Sequence, residues 1–183
     1  MKKEQKKMMQ TENKAEIIVD DDRWNVEGKK EQDATQGIFA LAVDYLKEND
    51  ELEFLPRPMP LSINICLSND EEVHKLNKEF RNMDKPTNVL SFAHIDDDAF
   101  SEELENADIA ELGDIIISLD TLEREAKIEN ISFENHYAQL LVHGILHLCG
   151  FDHIEEEEAE YMESTEIAIL KKMNIDTPYT DYE

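Results

Sequence analysis

The sequence predicts an α+β domain with a small mixed β-sheet and about five helices. Three observations carry that prediction. Short alternating or β-branched runs (LSINICLS, TNVLSFA and LGDIIIS) lie in the first two thirds of the chain, and three segments of helical spacing follow one another at its end. A chain of 183 residues without an internal repeat fits one domain, since single domains commonly span about 100 to 200 residues. Strands first with helices concentrated at the end is an α+β order.

Residues 1–16 are polar and aperiodic and read as a flexible arm, and 177–183 as a tail, which leaves 17–176 for the folded unit. Ile17 to Val19 begins the first strand, and a charged, turn-rich stretch follows to Gly28. Ile38, Leu41, Ala42, Tyr45 and Leu46 form one apolar stripe at helical spacing, ending near Asn49. Pro56, Pro58 and Pro60 lead into LSINICLS, where Leu61, Ile63, Ile65 and Leu67 alternate as in a half-buried strand. Asn69 or Asp70 can cap a helix to about Asn82 with Val73, Leu76 and Phe80 facing inward. Asp84, Lys85 and Pro86 break that helix before TNVLSFA. The acidic stretch 95–111 has few apolar residues and reads as a long surface loop. LGDIIIS is a buried strand bounded by Gly113 and Ser118, and helices are expected at about 120–129, 133–149 and 155–173.

Composition limits function only loosely. Forty per cent apolar residues is a globular content, while the net charge of −26 argues against a nucleic-acid partner. The lysine-rich start lacks the apolar run of about 7 to 15 residues of a secretory signal, and no stretch approaches the ~18 apolar residues of a membrane span. A cytoplasmic protein without a membrane partner is expected. Cys66 and Cys149 are expected to be reduced thiols.

The chemistry concentrates in LLVHGILHLCGFDH. His143 and His147 are four apart in a strongly helical run, so both imidazoles fall on one face. Gly150 can take a left-handed conformation just beyond the helix and turn His153 back toward the same point. Three imidazole nitrogens suit Zn²⁺, one per chain, and leave a fourth position for a water whose pKa falls to about 7. Unused, three such histidines would each bury a polar group at a cost. His136, seven residues before His143, can support a ligand by hydrogen bonding or serve structure alone. Asp152 can orient a ligand, relay a proton or simply close the turn, and Cys149 is expected to pack.

The spacing HxxxHxxGxxH is shared with zinc peptidases, which place a glutamate directly after the first histidine as general base. Here that residue is Gly144, so a peptidase is the second choice. HGILHLCGFDH resembles the signature of the YbeY family of endoribonucleases, and LNKEFRNMDKPTNVLSF and LGDIIIS resemble its other two blocks in the same order. The likeness runs over about residues 17–179. It implies a zincin, or metalloprotease-like, fold redirected to RNA: a single-strand-specific endoribonuclease acting in 16S rRNA 3′-end maturation and ribosome quality control. It also implies His143, His147 and His153 as zinc ligands, Arg81 as an active-site residue, and single-stranded rRNA and the ribosomal subunit as partners; the acidic residues 96–111 can attract basic ribosomal proteins, repel the wrong nucleic acid or simply form a solvated loop. One departure is Ala93, where the family usually has proline, and it bears on the shape of the cleft.

Arg81 makes chemical sense by itself, because a guanidinium can grip two phosphate oxygens; a surface ion pair with Asp84 is the alternative. Lys75, Lys78 and Lys85 recur with Arg81 at spacings of three or four and can form a basic ridge for substrate, although Glu71, Glu72 and Glu79 make ordinary helix solvation an equal reading. Glu155 to Glu158 suit a helix amino terminus. A non-catalytic ribosome-assembly factor with a structural zinc is the third alternative.

Overall fold

In the computed structural model, which describes residues 12–27 and 29–176, the elements run β1 (Lys14–Val19), α1 (Trp24–Glu27), α2 (Lys29–Glu48), β2 (Leu61–Ser68), α3 (Asp70–Arg81), β3 (Val89–Ala93), a 3₁₀ turn (His94–Asp96), α4 (Phe100–Asn106), β4 (Ala110–Ser118), α5 (Leu119–Glu129), α6 (Phe133–Leu148) and α7 (Glu156–Lys172). The sheet order is β1-β2-β4-β3. β1, β2 and β4 are parallel, and β3 joins β4 antiparallel as an edge. The expected α+β class with a small mixed sheet is therefore the architecture adopted. Five of the described helices have eleven residues or more.

Alternation in β2 sorts the sheet's two faces. Leu61, Ile63, Ile65 and Leu67 are buried, as are Leu112, Ile115 and Ile117 of β4. They meet Phe39, Ala42, Val43 and Leu46 of α2 and Leu141, Val142, Ile145 and Leu146 of α6 in one core. Burying a side chain of this kind contributes about 1.5–3 kcal/mol, so the face against α6 is held far more firmly than its opposite. That opposite face is only partly covered by α3, and Ile18 stays 58% exposed.

Several boundaries differ from expectation for identifiable reasons. β1 starts at Lys14, because residues 14–16 pair with Ser62, Ile63 and Asn64; these three residues belong to the sheet and not to the arm. Residues 1–11 and the tail 177–183 lie outside the described residues. The charged stretch after β1 contains the fully buried Trp24, whose indole N–H donates to the Ser68 carbonyl at 2.8 Å and whose ring meets Phe133 and Tyr137. Residues 95–111 fold locally: Phe100 and Leu104, four apart, bury one side of the short helix α4. Phe80 does not face inward. It is 61% exposed and lies edge-on to Phe92 at 5.3 Å, while Asn77 takes the buried position and donates to the Lys85 carbonyl.

Candidate metal centre

Helix α6 is set by its ends. The Ser132 side chain caps the first turn by accepting from the Asn135 N–H. At the other end Gly150 takes φ +89°, and the Phe151 N–H returns to the Leu146 carbonyl. A residue with a Cβ rarely adopts that φ, and this turn carries His153 back toward the helix. His143, His147 and His153 consequently each offer a ring nitrogen within 4.8 Å of the others.

The hydrogen bonds fix which nitrogens point inward. The His147 Nδ1–H donates to the Phe151 carbonyl at 3.0 Å, and His143 Nδ1 lies 3.1 Å from a Glu166 carboxylate oxygen. Both Nε2 atoms then face each other at 3.0 Å with lone pairs opposed, an arrangement that a cation between them would relieve. Burial, followed by the neighbouring His143, pushes the His147 imidazole down to about 4, which keeps its lone pair available at neutral pH. The donor set therefore fits a divalent transition ion bound by neutral imidazoles.

Beside the histidines runs an open cleft of about 210 Å³ lined by Arg81, Ser91, Ala93, Asp96, His147, Gly150, Phe151 and Asp152. Arg81 enters from the last turn of α3, and its Nη2 donates to the Ser91 carbonyl at 3.3 Å. Asp84, the alternative partner for Arg81, is taken by His74 at 2.7 Å and Lys78 at 3.0 Å. Asp152 accepts from the His153 backbone N–H at 2.7 Å, closing the turn while also lining the cleft. Ala93 ends β3 in the cleft wall, so the departure from proline falls where cleft shape is decided.

Other sequence candidates sit elsewhere. His136 is buried, with Nε2 on Glu125 and Nδ1 on Gln139, and neither contact involves the three histidines. Lys75 is paired with Glu71 and Glu72, and Lys78 with Asp84, so most of the expected ridge is locally neutralised. Lys85, exposed on the loop after α3, is not among the residues lining the cleft. Cys149 packs in the core, where burial pushes its thiol up to about 12, and Cys66 is also a free thiol. Residues of the site that were missed include Ser91 and Phe151, whose carbonyls accept from Arg81 and His147, and Asp96 and Glu166. Asp96 lay in the stretch read as a loop. Glu166 is a single carboxylate inside the stripe Met162, Thr165, Ile169 and Leu170 of α7, all buried in the structure.

An α+β fold whose sheet supports a helix-borne histidine pair, a third histidine after the turn and an arginine across the cleft defines a candidate metal-centred hydrolase. The chain belongs to the YbeY family: the family model described as endoribonuclease YbeY matches residues 16–174. Similar chains include endoribonuclease YbeY of Agrobacterium fabrum, 43% identical over 92% of this chain and 95% of the relative. The protein of the same name from Sinorhizobium fredii is 40% identical over 91% of each. A solution structure from Thermotoga maritima aligns over 92% of this chain and 100% of its own at 21% identity and TM-score 0.48.

Proposed function

We propose that the protein is a single-strand-specific, zinc-dependent endoribonuclease acting in 16S rRNA 3′-end maturation and ribosome quality control. The observation that carries the proposal is the convergence of three histidine nitrogens beside a cleft that Arg81 enters, in a chain whose relatives are called endoribonucleases. His143, His147 and His153 would hold the ion, which when bound supplies Lewis acidity and brings a water's pKa to about 7. Arg81 grips the scissile phosphate and stabilises charge that grows on its oxygens. Its hydrogen-bond partner is the neutral Ser91 carbonyl and not a carboxylate. Asp152 accepts or returns a proton at the cleft wall. Lys85 meets flanking phosphates; Lys75 and Lys78 contribute where their carboxylate partners release them. The ribosomal subunit and its basic proteins are the assembly on which such an enzyme would act, in the cytoplasm; no described helix is long and apolar enough to cross a membrane.

A peptidase fits less well. A Cβ at Gly144 would lie 2.9 Å from Ile115 Cδ1 and within 3.2 Å of two more Ile115 side-chain atoms, so the Ile115 side chain would have to shift to admit the catalytic glutamate of a peptidase. Incubating the protein with labelled 16S 3′-end RNA and with unfolded casein, with and without chelator, tests the proposal. Chelator-sensitive RNA cleavage that His147→Ala abolishes is expected. Casein cleavage would establish the peptidase, and neither activity would leave an assembly factor with structural zinc.

A further inference from the structure

We propose that Glu166 is the positioning residue of the metal centre: its carboxylate holds the His143 ring with Nε2 toward the other ligands and strengthens that nitrogen as a donor. This inference rests on the metal-centre reading above. Glu166 is 2% exposed on α7, in a stripe otherwise filled by Met162, Thr165, Ile169 and Leu170. A carboxylate in that position is costly unless a hydrogen-bond donor and a positive charge stand near it. Among the described residues its hydrogen-bond and ion-pair partner is His143 Nδ1, at 3.1 Å, and no lysine or arginine reaches it. The imidazole of His143 is thus the one described group paired with the carboxylate, and an ion bound at its far nitrogen would supply positive charge through the ring.

The three ligands are thus supported unequally. His147 is oriented by a neutral carbonyl, that of Phe151, and His153 is exposed with its backbone N–H, not its ring, bonded to Asp152. His143 alone of the three has its ring on a buried carboxylate. An imidazole hydrogen-bonded to a carboxylate is locked in one tautomer and is a more basic ligand. Helix α7 therefore contributes to the centre without offering a ligand.

Glu166→Gln keeps the size and an oxygen acceptor but removes the charge; Glu166→Leu removes both and suits the apolar stripe. Zinc affinity of the full chain is measured by competition with a chromogenic chelator, and the tautomer of His143 by the ¹⁵N shifts of its ring. Glu166→Gln is expected to weaken zinc binding about 10- to 100-fold with the Nδ1–H tautomer kept. Glu166→Leu is expected to weaken binding further and to release the tautomer. Circular dichroism of both zinc-free variants should match the parent. Wild-type affinity in both variants, while His147→Ala loses zinc, overturns the role of Glu166 and leaves the centre standing. Wild-type affinity in His147→Ala overturns the centre itself and this inference with it.

Discussion

Gly113 joins the stability of the sheet to the geometry of the cleft, and Gly113→Ala tests that link. Gly113 has φ +132° within β4, opposite Ala93 in the β3 register. A Cβ there would stand 2.0 Å from the Phe92 carbonyl oxygen and 3.2 Å from Leu148 Cδ2. The Leu148 methyl can turn aside, but the Phe92 carbonyl is backbone and no rotamer change removes that contact. The unfavourable backbone conformation costs about 1–3 kcal/mol. Opening the adjacent pair forfeits a hydrogen bond of about 0.5–1.5 kcal/mol. The total, about 1.5–4.5 kcal/mol, corresponds to a fall of roughly 3–18 °C in Tm for a domain of this size. Because β3 supplies Ser91 and Ala93 to the cleft wall, RNA cleavage at a temperature where the variant is folded should also fall. Zinc stoichiometry should persist, since α6 and its turn carry the ligands. The assay is thermal unfolding followed by circular dichroism, with zinc content and cleavage measured on the same sample. A Tm within 2 °C of the parent would refute the claim that β3 is pinned at this glycine, a threshold set by the roughly 2–4 °C expected per kcal/mol.

Two further outcomes follow. Arg81→Ala should lower RNA cleavage about 10²-fold or more, the scale of losing one preorganised group at developing charge, with stability changed by less than about 0.5 kcal/mol because the side chain is exposed; unchanged cleavage removes Arg81 from the mechanism. Asp21 is held down at about 2, chiefly by hydrogen bonds from the Arg23 side chain, and the same guanidinium lowers Asp120. A depressed carboxylate pKa stabilises the fold above its unfolded value of about 4 and loses that contribution as pH falls toward 2. Urea midpoints of Arg23→Gln and parent should therefore differ at pH 6 and converge by pH 2, and a gap independent of pH would contradict the pairing.

Much of this molecule was legible because local rules and tertiary structure agree. Period-2 alternation in LSINICLS and the β-branched run of LGDIIIS found β2 and β4, and i,i+4 spacing placed His143 and His147 on one face of α6. Gly150 was recognisable as the turn that returns His153, since one backbone conformation does that work. What stayed hidden depended on contacts distant in sequence. Nothing local says that Phe80 lies outward, because its neighbour Phe92 arrives from β3. Trp24 looked like part of a charged turn, yet its indole is buried through Ser68, Phe133 and Tyr137. His136 has the right phase to assist His143, but Glu125 on α5 and Gln139 take both its nitrogens. Glu166 needed the packing of α7 on α6 to be understood at all.

The acidity of the chain meets its most specific consequence in the cleft. Arg81 brings one positive charge there, Asp96 and Asp152 bring two carboxylates, and the Glu166 carboxylate stands behind His143, so with neutral imidazoles the sum is about −2 and should repel a phosphate. A divalent ion on the histidines would bring the sum to about 0, with its charge beside the cleft and the Glu166 carboxylate buried behind His143. The net charge of −26 adds little to this balance, because exposed charges beyond about 8 Å are screened at physiological salt. RNA binding, and not only cleavage, is then expected to require the ion. Fluorescence anisotropy with a single-stranded RNA carrying 2′-O-methyl groups separates the two steps on zinc-loaded protein, chelated protein and His147→Ala. Binding should weaken at least tenfold without zinc, and raising salt should narrow the difference. Equal affinity in all three samples would mean that RNA is gripped elsewhere on the surface, and that the cleft charge sum has no part in recognition.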